Sequence, residues 1–129
     1  METKYERETM CLPLFISCNM QINSLKYIEV LKEQEASFYI YFSSPNCSVC
    51  RVLKPKLMNF MQASYVNLQS YEVDTASQPE IVAQLGFYAN PSFIVFLNGK
   101  EFFRRSRSIS LQEIDESLSR PYGLMFGDQ

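Results

Sequence analysis

Phe38-Tyr39-Ile40-Tyr41-Phe42 is an unbroken run of five aromatic and β-branched residues. A strand with no polar alternation has to be covered on both faces, as in a sheet sandwiched between helices. Such a strand belongs at the centre of an α/β fold. Ser43-Ser44-Pro45-Asn46 breaks the run, and from Cys47 a helical pattern resumes with Val49, Val52, Leu53, Leu57, Phe60 and Met61 on the apolar side. Pro55 lies inside that pattern and is expected to kink the helix about two turns in.

The flanking segments fit the same plan. A first strand is expected within Leu14 to Ile22, and Asn23-Ser24 caps a helix over 24–35 in which Leu25, Ile28 and Leu31 share a face. Tyr71 and Val73 alternate in a strand over 69–74. Pro79 opens a short helix over 79–85 that Gly86 closes. The run 93–97, the dipeptide Asn98-Gly99 and the run 101–103 form an antiparallel hairpin with a type I′ turn. Ser110 and Glu113 have capping-box spacing and open a last helix, with Leu111, Ile114 and Leu118 inward and Pro121 as its end. The order implies parallel strands joined by crossover helices, with an antiparallel hairpin at one edge. We divide the chain into an extension over 1–19, a domain over 20–120 and a tail over 121–129.

Composition removes several functions. Twelve basic against fourteen acidic side chains leave no basic face for phosphate backbones, so nucleic acid is not an expected partner. No apolar run approaches the roughly 18 residues of a membrane-spanning helix. The chain contains no His, which excludes His-dependent nucleophilic catalysis and His-ligated metal sites. Four cysteines in 129 residues are too few for a disulfide-built scaffold and are read individually.

Cys47 and Cys50 stand two residues apart at a strand-to-helix junction. Free N–H groups and the helix dipole at that tip stabilise an anion, so the Cys47 thiol is expected to ionise below its usual value of about 8.5 and act as nucleophile. Cys50, almost one turn further on, is placed to attack a mixed disulfide on Cys47 and release the other product. A zinc half-site would need Cys11 and Cys18 as its second pair, and their spacing is not that of a usual ligand pair. Those two cysteines are read as small buried hydrophobes. Asn90-Pro91-Ser92 puts a proline directly before a strand. A cis peptide there, about 0.5–1 kcal/mol above trans, would let the backbone at Asn90 pair with an extended substrate. Phe87 and Tyr88 either form an apolar rim beside that turn or pack below it. Arg104, Arg105 and Arg107 are read as a solvated basic edge after the hairpin.

Together, the strand 38–42, the pair Cys47 and Cys50, Pro55, the strand ending at Asp74, Pro91 and the hairpin 93–103 resemble the thioredoxin superfamily. The resemblance implies a thioredoxin fold, a central mixed sheet flanked by helices with a redox pair at one helix tip, and a cis Pro91. It implies a protein disulfide oxidoreductase, acting as a reductase, with Cys47 and Cys50 catalytic and Asn90, Pro91 and Phe87 contacting substrate. No metal or organic cofactor is implied. The expected partners are protein disulfides and an unidentified electron donor, for a cytoplasmic monomer. The alternative function is an accessory module whose thiols sense redox state or are dispensable. Phe15-Ile16-Ser17-Cys18 offers the alternative location, export with a lipid anchor on Cys18, although the acidic start of the chain argues against it.

Departures from the family pattern are also visible. Asn46 stands where Trp is usual, Ser48-Val49 replaces Gly-Pro, and Asn90 replaces a β-branched residue. Tyr41 occupies the place of a buried carboxylate, with Ser70 where its Lys partner would be. A neutral phenol is a poor proton acceptor at pH 7, so resolution by Cys50 is expected to be the slow step.

Overall fold

The computed structural model of the protein describes residues 19–127. Nine elements follow one another in that span: β1 (Met20–Gln21), α1 (Leu25–Glu33), β2 (Phe38–Ser43), α2 (Ser48–Ser64), β3 (Gln69–Asp74), α3 (Pro79–Leu85), β4 (Ser92–Leu97), β5 (Lys100–Ser106) and α4 (Leu111–Phe126). The sheet order is β1-β3-β2-β4-β5. Its β1, β3 and β2 strands run parallel, while β4 and β5 are antiparallel to their neighbours. The first strand expected within 14–22 is short here, and residues 14–18, with Cys11 and Cys18, lie outside the described residues.

The two-sided burial expected of the aromatic run is what organises the core. Phe38, Ile40 and Phe42 point to one face, where they pack with Ile28 and Leu31 of α1 and Ile81 of α3. Tyr39 and Tyr41 point to the other, against Leu57, Met58 and Met61 of α2 and Ile114 and Leu118 of α4. All five are buried. Strand alternation thus splits one continuous apolar run into two cores.

Local signals set the ends of the elements. Ser24 caps α1 by accepting from the Tyr27 N–H, and Gly86 closes α3 in the left-handed region at φ +78°. Asn98 and Gly99 both have positive φ, 54° and 81°, as a type I′ turn requires. Ser110 accepts from the Glu113 N–H, which is half of a capping box. The Glu113 carboxylate goes instead to Arg105, at 2.6 Å.

Pro121 does not end the last helix. It lies inside α4, which continues to Phe126, so 121–126 is helix and not a separate tail. A proline in a helix interior removes a hydrogen bond and costs about 3 kcal/mol. Tertiary contacts offset this: Tyr122 is buried, its hydroxyl accepts from the Asn67 N–H at 3.0 Å, and its ring meets Tyr65 edge-on at 4.9 Å. Met125 and Phe126 pack on the same core.

Gly99 docks the hairpin tip on the end of α1, donating its N–H to the Ala36 carbonyl at 2.8 Å. A Cβ at this position would collide with the Lys32 carbonyl oxygen, and its φ is +81°. Gly99→Ala is therefore expected to lower stability by about 1–3 kcal/mol, read as a lower urea midpoint at unchanged slope.

Candidate functional site

Where β2 emerges from the sheet at Ser43, the chain turns through Ser44, Pro45 and Asn46 and enters α2 at Cys47. Cys47 is the N-cap of that helix, and its sulfur accepts from the Cys50 N–H at 3.2 Å. The same N–H is placed to stabilise a Cys47 thiolate, adding to the field of the helix terminus. Cys47 is half-buried, whereas Cys50 is 2% exposed. Their sulfurs are joined in a disulfide, with Cα atoms 5.2 Å apart. Among the described residues, no group of three or more His, Cys, Asp or Glu is placed to hold a metal ion.

Tyr41 lies beneath the pair and donates its hydroxyl to the Cys50 carbonyl at 3.1 Å. Next to it in the β2–β3 register stands Glu72, a buried carboxylate in the middle of a strand. Lys54 of α2 reaches Glu72 at 2.8 Å, Asn19 donates to it at 2.7 Å and Ser43 at 3.1 Å. A cavity of about 310 Å³ connects this carboxylate with Cys50, Lys54, Arg51 and Asp74. Neither Glu72 nor Lys54 was among the residues singled out from the sequence. The available signal was a charge between Tyr71 and Val73 in a strand buried on both sides.

The β2–β4 register pairs Phe42 with Ser92, which carries Pro91 to the same end of the sheet as the cysteine loop. The Asn90–Pro91 peptide bond is cis. Asn90 is exposed and donates its side-chain amide to Thr75 at 3.1 Å, while the Pro91 carbonyl accepts from the Arg107 N–H at 2.8 Å. Phe87 is not on a rim. It is 2% exposed, packed 4.7 Å from Phe42 and capped by the Arg104 guanidinium at 4.5 Å. Tyr88, 82% exposed, is the ring that faces outward.

Val49 and Val52 also differ from expectation. They are not on the buried side of α2 but exposed, and with Leu53 and Ile109 they form an apolar groove beside Cys47. The segment 107–109 lines the other side of this groove. Arg104 and Arg105 lie within β5 rather than after it, paired with Glu101 and Glu113.

A strand-to-helix junction bearing a joined Cys47–Cys50 pair, with a cis-proline turn at the same sheet end, is now matched by comparison. The thioredoxin family profile matches residues 19–120. The chain belongs to the thioredoxin family. Among curated relatives, it is 26% identical over 107 residues to the thioredoxin-like protein YdfQ of Bacillus subtilis, covering 83% of this chain and 95% of that one. It is 30% identical over 96 residues to thioredoxin H5 of Oryza sativa subsp. japonica, covering 73% and 70%. The fold matches mitochondrial thioredoxin 3 of Saccharomyces cerevisiae in its oxidized form, with TM-score 0.69, 19% identity and coverage of 78% and 93%. It also matches thioredoxin from Trypanosoma brucei brucei, with TM-score 0.71, 14% identity and coverage of 84% and 94%. Family membership and the Cys47–Cys50 pair make this thioredoxin-family protein a thiol–disulfide oxidoreductase.

The environment of Tyr41 has a measurable consequence. Burial first, and then the negative charge of Glu72, push its hydroxyl up to about 12 from 10. Because the folded value lies above the unfolded one, this contribution to stability is intact below pH 10 and is lost as the pH rises toward 12. Tyr39, raised mainly by burial, and Tyr65, raised by burial and by its bond to Asp115, act in the same direction. Urea midpoints followed across this window are expected to fall less steeply in Tyr41→Phe than in the wild type.

Proposed function

We propose that the protein is a reductase of protein disulfides in which Cys47 attacks and Cys50 resolves. The observation that carries this reading is the asymmetry of the pair: one sulfur at an accessible helix cap, the other buried beneath it. In the reduced protein the Cys47 thiolate attacks a substrate disulfide, a Cys47–substrate bond forms, and the first substrate thiolate leaves. Cys50 then attacks the Cys47 sulfur, breaks the bond to substrate and closes the Cys47–Cys50 disulfide. The substrate has gained two electrons and the protein has lost them. An electron donor of unassigned identity returns the pair to dithiol.

The exposed bend at Asn90 and cis Pro91, directly before β4, is suited to present its backbone groups to a substrate strand. The groove floored by Val49 and Val52 gives an apolar seat for the residues flanking the substrate cysteine. Tyr88 replaces Phe87 as the aromatic residue available at this edge. No metal or organic cofactor enters the cycle, and we place the protein in the cytoplasm as a monomer. No helix among the described residues is long and apolar enough to cross a membrane.

Alkylation by iodoacetamide as a function of pH is expected to reveal one reactive thiol titrating below about 8.5, lost in Cys47→Ser and kept in Cys50→Ser. The opposite pattern reverses the roles. Cys50→Ser is expected to accumulate mixed disulfides with cellular proteins, and the couple to titrate near about −270 mV rather than −120 mV. A wild-type protein that reduces no model disulfide, together with an empty trap, would instead identify an accessory module.

A further inference from the structure

We propose that Glu72 receives the proton that Cys50 must lose to resolve the mixed disulfide. This rests on the assignment of Cys50 as the resolving thiol. Cys50 is 2% exposed, so the cavity that it lines is the route by which its proton can leave. The group directly beneath it does not serve: the Tyr41 hydroxyl already donates to the Cys50 carbonyl. Glu72 is on the adjacent strand, opposite Tyr41 in register and therefore on the same face of the sheet. Lys54 follows Cys50 by four residues, which puts both side chains on one face of α2. Thiol and carboxylate line one cavity of about 310 Å³, which is roomy enough for water and has Ser43, Ser44, Arg51 and Lys54 in its wall to hold it.

The bonding of the carboxylate leaves it able to accept. Among the described residues, Oε1 takes the Asn19 amide and the Lys54 ammonium, while Oε2 takes the Ser43 hydroxyl alone and keeps one lone-pair site. Asp74 lines the same cavity but is the more exposed of the two carboxylates, and it accepts from the Ala76 N–H in the turn after β3. A carboxylate on a core-facing position of a central strand destabilises a fold unless it is paired, and such placements concentrate at functional sites. The charged or titratable groups around Glu72 are Lys54, Cys50 and Arg51 of α2, Tyr41 of β2 and Asp74 at the end of its own strand.

In the step itself, the Cys50 S–H bond breaks as its proton passes to Glu72. The Cys50 sulfur bonds to the Cys47 sulfur, and the Cys47–substrate bond breaks to release a substrate thiolate. The thiolate is then protonated from solvent or from Glu72. Substrate is reduced and the cysteine pair oxidised.

Stopped-flow reaction of the reduced protein, carrying Cys11→Ser and Cys18→Ser so that the pair alone reacts, with an aromatic disulfide, 5,5′-dithiobis(2-nitrobenzoate), separates the steps, since attack by Cys47 releases one chromophore and resolution by Cys50 the second. Glu72→Gln keeps the side-chain size. It is expected to slow the second release by about 10- to 100-fold at pH 7 and shift its pH profile to the alkaline side, leaving the first release within about threefold. A second release unchanged or faster would overturn the proposal, because an unpaired Lys54 cation that merely stabilises the thiolate would accelerate it. Lys54→Met gives an independent reading if Glu72→Gln does not fold. A proton-accepting Glu72 keeps its carboxylate in this variant and resolves at least as fast as wild type, whereas slower resolution would assign the effect to Lys54. Cys50→Ser separates the two levels. If it still gives the second release, the resolving role of Cys50 fails; if it loses that release while Glu72→Gln is unaffected, only the proposal for Glu72 fails.

Discussion

Two-sided burial of β2 is the constraint on which the rest of the molecule depends. Each ring or branched side chain in this strand gains roughly 1.5–3 kcal/mol from burial, but only if both faces are covered. That requirement calls for helices above and below and for neighbouring strands along both edges. Phe93 and Val95 of β4 join the core of Tyr39 and Tyr41, while Ile94 and Phe96 join that of Phe38 and Ile40. Stacked rings at Phe38 and Phe96, 4.7 Å apart, tie the two central strands on one face. A strand held this firmly fixes where its last residue ends, and the next four residues deliver Cys47 to the tip of α2. The redox pair is fixed in position because it follows directly on a central strand buried on both faces.

Features set by local chemistry were legible in the sequence. The two-residue turn at Asn98-Gly99, the proline start and glycine stop of α3, the span 69–74 of β3 and the strand-to-helix junction at Cys47 depend on residues within a few positions of one another. What could not be read depends on distant partners. Pro121 looks like a terminator until Tyr122 is seen anchored on Tyr65 and Asn67. Val49 and Val52 follow the helical apolar period yet stay exposed, because the period gives the direction of a side chain but not what lies opposite. Phe87 and Tyr88 are adjacent aromatics that the sequence does not distinguish, and the fold buries one and exposes the other. Glu72 and Lys54 are 18 positions apart and meet only because α2 crosses over β3.

The asymmetry of the cysteine pair also has a physical origin. The cap position exposes the Cys47 sulfur to the N–H groups of the first turn, while the helical period rotates Cys50 toward the sheet. Tyr41 reinforces that difference by holding the Cys50 carbonyl from below. A phenol at this place keeps the core uncharged directly under the pair, and the ionic groups are displaced sideways to Glu72 and Lys54 at the rim of the cavity. There Lys54 stays about two-fifths exposed while Glu72 is largely covered, so only one member of the pair bears the full cost of desolvation.

The arginines of β5 complete the site from the opposite side. Read as a solvated edge, Arg104 is in fact a clamp: its guanidinium covers the Phe87 ring, donates to the Leu85 carbonyl at 2.8 Å and pairs twice with Glu101. These contacts pin the segment between α3 and β4 just before Asn90. Three residues further on, the Arg107 N–H holds the Pro91 carbonyl from the other side, with Arg107 itself in the left-handed region at φ +69°. A non-glycine residue is strained in that conformation, and such strain persists only where surrounding structure enforces it. The turn that presents Asn90 is thus fixed at both ends by backbone and guanidinium contacts from β5 and the residue that follows it. That fixation explains how an exposed, polar loop keeps a defined relation to the cysteine pair without being buried itself.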